Sequence, residues 1–353
     1  MSEIHESEKK GVLDSLEYAD NRYVFKNLSS KWRDDTDVVL RAITTYRATA
    51  FKYALQRQRS TKDVVMAAVK INANALEYAS EIMRDDYDIV TTAIRSGVER
   101  KVTGVLKFAS ERLRDSYDIV MMGTTCGESL AYASERLRDD YDIVMCYITL
   151  ISCYNLQYAS ERLRDDYDIV MAAVKRTGCC LEYASERLRD NYNVVITAAK
   201  EFGHTEGGGL RYASWRLRNN YTIVMTAVKE MGLNLQHASD ELRDNHDIVM
   251  NAVICGIYNG DNEVLRYASE RLRDNEQLVM NVVKIEGAVL KYASERLRDN
   301  EQIVALAMET RVTTFKHASE RLRDNEQIVA LVKGNKDVLK YASERLRQKG
   351  VKK

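Results

Sequence analysis

Arginine occurs at one fixed position of a motif that recurs along this 353-residue sequence. The plainest copies read Tyr-Ala-Ser-Glu-Arg-Leu-Arg-Asp-Asp/Asn, and we number each copy from its tyrosine, position 0. Position +6 is arginine in all thirteen copies: Arg33, Arg59, Arg84, Arg114, Arg138, Arg164, Arg189, Arg218, Arg243, Arg273, Arg298, Arg323 and Arg347. A row of guanidinium groups has the planar donor geometry that binds phosphates or carboxylates.

The same arginines also fit a structural role. Each would lie in the last turn of a short helix, where a cation stabilises the terminal carbonyls. A glutamate or aspartate is within one helical turn of nearly every copy, which favours internal pairing at the turn between helices. We therefore predict that the arginines from Arg84 to Arg323 form a structural ladder rather than a ligand site.

Position 0 is tyrosine in nine copies, and Asn27, Phe108, His237 and His317 replace it in the others. A position that accepts tyrosine, phenylalanine and histidine favours a flat ring packed between repeats, although stacked rings can also bind nucleic-acid bases. His237 and His317 have no metal-ligand neighbours in the sequence. Methionine recurs at +13, where we predict a core side chain: Met66, Met121, Met145, Met171, Met225, Met250 and Met280.

No catalytic motif is present in the sequence. The glycines at 207–209 lack the Lys-Ser/Thr of a phosphate-binding loop, and five histidines form no zinc or triad motif. Six cysteines at irregular positions, two of them adjacent (Cys179 and Cys180), indicate reduced thiols. We therefore expect no catalytic residues, no bound cofactor, no metal and no enzymatic activity.

The spacing of the motif predicts the architecture. Successive copies are 24 to 30 residues apart, a repeat length typical of solenoids. They begin at Asn27 (a degenerate copy), Tyr53, Tyr78, Phe108, Tyr132, Tyr158, Tyr183, Tyr212, His237, Tyr267, Tyr292, His317 and Tyr341. The sequence predicts an all-α solenoid of about twelve 25-residue, two-helix repeats.

Each copy predicts two helices. Apolar residues at −2, +1 and +5, such as Leu181, Ala184 and Leu188, share one face of a first helix. Position +8 is Asp, Asn, Ser or Thr in all twelve copies that contain it, and these residues cap helix N-termini. Aliphatic residues at +11 and +12, such as Ile169 and Val170, predict a more buried second helix. Glycines near its end predict a left-handed C-terminal turn: Gly97, Gly178, Gly203, Gly232, Gly287 and Gly334.

The segments outside the repeats are short. We predict an N-terminal cap over residues 1–26, a solenoid over 27–347 and a basic tail over 348–353. The extra residues of three long spacings, 99–103, 204–208 and 258–262, all follow the second helix, so insertions are confined to one rim. Such a rim tolerates neutral insertions and can also contact partners.

Composition agrees with an intracellular helical protein. Proline is absent, and 53 basic residues balance 53 acidic ones, so no net field attracts nucleic acid or an anionic membrane. No apolar run has the length of a membrane span, and the polar N-terminus does not resemble a signal peptide. We expect a soluble protein in the cytoplasm, in another intracellular compartment or in a virus particle.

The repeat resembles a family of tandem helical repeats catalogued as domain of unknown function 4116. The resemblance is carried by Leu-x-Tyr-Ala-Ser-Glu-x-Leu-Arg-Asp-Asp/Asn followed by Ile-Val-x-x-Ala-Val, as in residues 156–174, and covers roughly residues 25–347. It implies the repeat architecture and a setting in a large virus or an intracellular microbe, but it implies no activity.

These observations predict a non-enzymatic scaffold that binds one or more protein partners along its exposed surface. A modular nucleic-acid-binding repeat protein is the alternative. Zero net charge and a nearly invariant Glu-Arg pair at +3 and +4 argue against it, because a sequence-reading repeat needs variable exposed positions.

Overall fold

The structure is a computed structural model that describes residues 2–18, 23–46, 48–125, 127, 129–201 and 208–350. Its contacts divide the chain into two compact units, residues 1–169 (unit 1) and 170–353 (unit 2). Every regular element in the described parts of both units is helical, and no strand occurs among them. Each unit is a stack of short helical repeats, so the predicted all-α repeat fold is confirmed.

The repeat that carries Tyr292 illustrates the common pattern. It opens with a 3₁₀ turn, Gly287–Tyr292. A one-turn helix follows over Glu295–Arg298, and a longer helix runs over Glu301–Thr310. We call these three elements the opening turn, the short helix and the long helix.

In unit 1, helices Ser2–Tyr18 and Tyr23–Asn27 precede the repeats. The opening turns are Phe51–Tyr53, Ala73–Tyr78, Leu106–Phe108, Leu130–Tyr132 and Cys153–Tyr158. The short helices are Ser30–Arg33, Gln56–Arg59, Glu81–Arg84, Glu111–Arg114, Glu135–Arg138 and Glu161–Arg164. The long helices are Thr36–Thr45, Lys62–Ile71, Tyr87–Arg100, Tyr117–Gly123 and Tyr141–Cys146, the last continued by the π-helical Tyr147–Ile151.

Helix Tyr167–Val174 includes the division between the units. In unit 2, the opening turns are Gly178–Tyr183, Gly209–Tyr212, Gly232–His237, Val264–Tyr267, Gly287–Tyr292 and Val312–His317. The short helices are Glu186–Arg189, Trp215–Arg218, Asp240–Arg243, Glu270–Arg273, Glu295–Arg298 and Glu320–Arg323. The long helices are Tyr192–Lys200, Tyr221–Glu230, His246–Tyr258, Glu276–Val283, Glu301–Thr310 and Glu326–Ala330, and the chain continues with Lys336–Leu339 and Glu344–Gly350.

The first predicted helix is divided in two. Ala293 has extended dihedral angles (φ −68°, ψ 162°), and the side chain of Ser294 then accepts a hydrogen bond from the backbone N–H of Leu297. Serine caps a new helix start there, so residues −2 to 0 form the opening turn and only +3 to +6 are α-helical. Positions −2, +1 and +5 are nevertheless buried together in most repeats, as predicted from their spacing.

The predicted caps at position +8 are confirmed in ten of the twelve repeats. Asn300, for example, accepts hydrogen bonds from the backbone N–H groups of Gln302 and Ile303. Thr61 and Ser116 make no side-chain cap. Thr61 instead donates its hydroxyl to the carbonyl of Arg57, a local bond that competes with capping.

The glycines near the long helices have a different role from the one predicted. Positive φ among the described glycines occurs at Gly104, Gly127, Gly208 and Gly260, and not at the five predicted positions that the structure describes. Gly203 lies outside the described residues. At Gly178, Gly232 and Gly287 a Cβ would lie 2.0–2.2 Å from a backbone carbonyl oxygen of the long helix of the same repeat. These glycines therefore permit close approach rather than a left-handed turn.

The structure describes most of the N-terminal segment, two of the three insertions and part of the C-terminal tail. Helix Ser2–Tyr18 packs on the first repeat, where the hydroxyl of Tyr46 donates to the carbonyl of Leu16 (3.2 Å). Two of the insertions extend long helices, to Arg100 and to Tyr258, and the third lies almost entirely outside the described residues. Residues 348–350 of the predicted tail belong to the last helix.

The long helices form the core, as predicted. Positions +11 and +12 are buried, and Val144 and Val170 have no exposed surface. Truncation of Val170 to alanine should lower the free energy of unfolding by about 1–3 kcal/mol, because two buried methyl groups are lost and a small cavity remains. Urea unfolding of the full chain measures this value, and an unchanged stability would contradict the buried role.

Candidate functional site

The predicted arginine ladder lies at the last residue of each short helix. Its backbone joins neighbouring repeats within each unit, because the carbonyls of ten +6 arginines accept a hydrogen bond from the +2 serine N–H of the next repeat. The N···O distances from Ser110 to Arg84 and from Ser294 to Arg273 are both 2.9 Å. These bonds are made by the main chain, so they do not depend on the arginine side chain.

The +6 side chains lie near acids at position +3 of the same short helix. Their Nε atoms are buried and have no hydrogen-bond acceptor among the described residues: Arg59, Arg84, Arg114, Arg138, Arg164, Arg189, Arg218, Arg243, Arg273, Arg298 and Arg323. Contacts to the +3 glutamate are long, 3.9 Å for Arg138–Glu135 and 4.0 Å for Arg298–Glu295, whereas Arg243 pairs closely with Asp240 at the same positions. These glutamates are almost fully exposed, and exposed pairs at such distances contribute little.

The acids between the helices bind a different arginine. Asp115, at position +7, accepts two hydrogen bonds from Nε of Arg136, at position +4 of the next repeat (3.1 and 3.2 Å). A second guanidinium nitrogen of Arg136 donates to the Asp115 carbonyl (2.8 Å), and the hydroxyl of Ser134 donates to the same carboxylate. We call this set the inter-repeat clamp.

The clamp recurs in both units. Its members are Asp85 with Ser110 and Arg112, Asp115 with Ser134 and Arg136, Asp139 with Ser160 and Arg162, Asp190 with Ser214 and Arg216, Asp244 with Ser269 and Arg271, Asp274 with Ser294 and Arg296, Asp299 with Ser319 and Arg321, and Asp324 with Ser343 and Arg345. The bond from Ser134 and then the charge of Arg136 hold the pKa of Asp115 below its usual value, against desolvation.

Positions +7 and +4 change together along the chain. Asn219 replaces the aspartate in one repeat, and Glu241 replaces the arginine that would face it. Asn219 donates from Nδ2 to Glu241 (3.0 Å) and accepts from the hydroxyl of Ser239. Likewise, Ser60 replaces the aspartate at +7 of an earlier repeat, and Ile82 replaces the arginine at +4 of the repeat that follows it. This pairing was visible in the sequence as matched residues of successive copies, although we predicted a role for the +6 arginine only.

The exchange at Asn219 and Glu241 provides a test of the clamp. Asn219→Asp alone should destabilise unit 2, because its carboxylate would face that of Glu241. Combined with Glu241→Arg it should rebuild a clamp, with a favourable coupling of about 1 kcal/mol. Urea unfolding of both single variants and the double variant measures the coupling, and additive effects would show that the charges do not interact.

Position +9, in the first turn of the long helix, carries a second row of side chains. We name its members in unit 1 the tyrosine row: Tyr87, Tyr117, Tyr141 and Tyr167. Their exposed fractions lie between 39% and 47%. Tyr192 and Tyr221 occupy the same position in unit 2 and are exposed to a similar degree. We did not single out this row from the sequence, although six successive tyrosines at one repeat position are a clear signal.

The later repeats of unit 2 replace these tyrosines by glutamate, which extends the clamp. Glu301 lies 3.0 Å from Arg321, and Glu326 lies 3.3 Å from Arg345. A glutamate at +9 therefore forms an ion pair with the +4 arginine of the next repeat. The tyrosines of unit 1 carry no charge for an arginine, and between 39% and 47% of their surface is exposed to solvent.

The remaining candidate residues have structural surroundings. The methionines at +13 are half-buried rather than fully buried. Lysine or arginine at position −1 covers several position-0 rings, as Lys52 does at 4.9 Å from the ring of Tyr53.

The five described cysteines form no disulfide. Among the described residues, no group of three or more His, Cys, Asp or Glu could hold a metal ion, and no helix is long and apolar enough to cross a membrane.

Comparison with protein families identifies the repeat. The sequence profile of a family described as Domain of unknown function (DUF4116) matches residues 61–99, 124–164, 150–189, 166–218, 191–243, 220–273, 257–298 and 275–323. These segments together cover more than half of the chain. No curated protein and no solved structure matches it.

Proposed function

The chain belongs to the family described as Domain of unknown function (DUF4116), as its motif predicted, and we propose that it is a non-enzymatic repeat scaffold that binds other proteins. The observation that supports this proposal is the tyrosine row. Half-exposed aromatic rings at one repeat position form a surface that the core does not use. Tyrosine is enriched at protein interfaces, because it supplies contact area and a polar edge with few rotatable bonds.

The clamps support the scaffold over a nucleic-acid-binding repeat. The exposed +4 arginines are the side chains that could contact phosphates, but in the clamps they are held by carboxylates of the preceding repeat, as Arg162 is by Asp139. Binding of phosphates would have to displace those acids. Nucleic-acid affinity depends mainly on such contacts, so the paired arginines favour a protein partner.

The proposal includes an intracellular setting, in the cytoplasm or in the particle of a large virus. A stack of repeats suits either setting, since each repeat needs only its neighbours for stability and leaves its surface available.

Site-specific photocrosslinking tests the proposal. A benzophenone amino acid would replace Tyr141 in the full chain, and, as a control, Tyr258, which is 79% exposed in unit 2. After irradiation in the cells that produce the protein, we expect discrete protein adducts from position 141 and fewer from position 258. Nucleic-acid adducts alone, or no adduct at either position, would contradict the scaffold.

A further inference from the structure

We propose that the tyrosine row and the aspartates beside it bind a lysine- and arginine-rich polypeptide segment of a partner protein. This inference rests on the scaffold function proposed above and specifies its partner. The aspartates occupy position +10, next to each tyrosine: Asp88, Asp118, Asp142 and Asp168.

Three of these aspartates have no counter-charge within bonding distance among the described residues. The carboxylates of Asp118, Asp142 and Asp168 make neither an ion pair nor a hydrogen bond with any residue that the structure describes. Asp88 differs, because Lys62 reaches it at 2.8 Å. Position 62 is one repeat earlier and occupies the +9 site, so a lysine of the chain itself already binds to this aspartate. The contact shows which chemistry the unpaired aspartates accept.

The surrounding charge is strongly negative although the whole chain is neutral. Residues 115–169 contain eleven acidic and four basic residues, a net charge of −7. Arg136 and Arg162, two of the four basic residues, are held in clamps. The excess negative charge of this segment attracts cations and repels nucleic acid.

The tyrosine hydroxyls lie among these carboxylates. Burial first, and then the charges of Asp140 and Asp142 in the next repeat, raise the pKa of Tyr117. Burial and the charges of Asp168 and Asp166 raise the pKa of Tyr141 in the same way. The rings of Tyr117 and Tyr141 therefore have carboxylates of their own repeat and of the next one nearby.

Aromatic faces between carboxylates recognise lysine and arginine in two ways. The ring quadrupole attracts the cation, and the carboxylate pairs with it. Recurrence of the same pair in successive repeats suits an extended segment with several cationic side chains rather than one small ligand. The glutamates that replace tyrosine at +9 in the later repeats are paired with arginines of the chain. The proposed surface is therefore confined to the tyrosine row of unit 1.

Fluorescence anisotropy with a labelled peptide of alternating lysine and glycine tests the inference on the full chain. We expect saturable binding that weakens as salt increases, and no binding of a glutamate–glycine peptide. Asp142→Asn with Asp168→Asn should weaken the lysine peptide at least tenfold. Glu135→Gln with Glu161→Gln removes the same charge from almost fully exposed +3 positions of the same repeats, and we expect less than a twofold change.

The aromatic contribution has its own matched pair. Tyr117→Phe with Tyr141→Phe keeps the rings and should retain binding within twofold. Tyr117→Ser with Tyr141→Ser should weaken it at least tenfold, and circular dichroism confirms that each variant is folded. Equal effects of the +3 and +10 changes, or binding unaffected by loss of the rings, would reduce the interaction to general charge attraction and overturn the inference.

The two proposals fail separately. A protein crosslinked at position 141 whose contact segment is not basic would overturn the basic-segment inference and leave the scaffold standing. Absence of protein adducts would overturn the scaffold. The protein could instead self-associate as its concentration increases, and removal of residues 348–353 could abolish that association. This result would identify the bound segment as the basic end of a second copy, and would overturn the inference of a separate partner protein.

Discussion

Replacement of both Gly232 and Gly287 by alanine is expected to lower the free energy of unfolding by about 2–6 kcal/mol, or about 1–3 kcal/mol per site. A Cβ at Gly232 would lie 2.2 Å from the carbonyl oxygen of Ala252, and at Gly287 it would lie 2.1 Å from that of Ala307. Both obstacles are backbone atoms of a buried long helix. They cannot rotate away, so the opening turn and the helix must separate.

Other repeats limit the size of this effect. Ala73 and Cys153 occupy the same position in unit 1, so the fold accepts a side chain where the local spacing differs. We therefore expect weakened packing of the altered repeats rather than complete unfolding, since repeat stacks are stabilised by neighbouring interfaces. The two sites lie in different repeats and should contribute nearly additively.

Gly334→Ala is the matched control, because a Cβ there meets no atom within 4 Å. Urea unfolding gives the stability of each variant, and hydrogen exchange shows whether protection is lost in residues 232–258 and 287–310. An equal loss in Gly334→Ala, or no loss in the double variant, would contradict the close-approach explanation.

The sequence predicted the repeat and its core well, because burial follows helical spacing. Leu188 and Val195 illustrate this: positions +5 and +12 are buried wherever the motif is intact. The division of the first helix was not predicted, since the spacing of the apolar residues does not reveal the role of Ser185. Its hydroxyl in fact caps the short helix by accepting from the N–H of Leu188. Local hydrogen bonding here overrides periodicity.

The candidate site was harder to predict, because it depends on contacts between repeats. The arginines at +4 and +6 have equal charge and lie two residues apart. Only the stacking of one short helix against the next places Arg136, and not Arg138, beside Asp115. The role proposed for the tyrosine row likewise depends on its exposure to solvent. The residue type alone does not distinguish an exposed tyrosine at position +9 from a packed one at position 0.

Replacement of His237 and His317 by tyrosine is expected to remove a loss of stability that the wild-type protein shows on acidification. Both histidines occupy position 0, where nine repeats have tyrosine. Burial, then the charges of Arg211 and Arg218, lower the pKa of His237 from 6.5 to about 4. Burial, then Lys316, Lys291 and Arg298, lower the pKa of His317 to about 4 as well.

The direction follows from proton linkage. Between pH 6.5 and 4 the unfolded chain binds protons at these histidines and the folded chain does not, so protonation favours unfolding. The free energy of unfolding has its full value above about pH 6.5 and falls as the pH decreases towards 4. Solvent screening of these partly exposed groups reduces the effect to about 1–2 kcal/mol per histidine.

Urea unfolding at pH 7.5 and pH 5 measures the difference. Because pH 5 lies within the window between 6.5 and 4, the wild type should lose about 1–2 kcal/mol between the two pH values through both histidines, and His237→Tyr with His317→Tyr should lose markedly less. Tyrosine suits the position because its ring fills the same site without a proton to accept in this range. His246→Gln, a change at a half-exposed histidine in the same unit, should leave the pH dependence of the wild type intact. If the double variant is as acid-sensitive as the wild type, the loss of stability does not arise from the position-0 histidines.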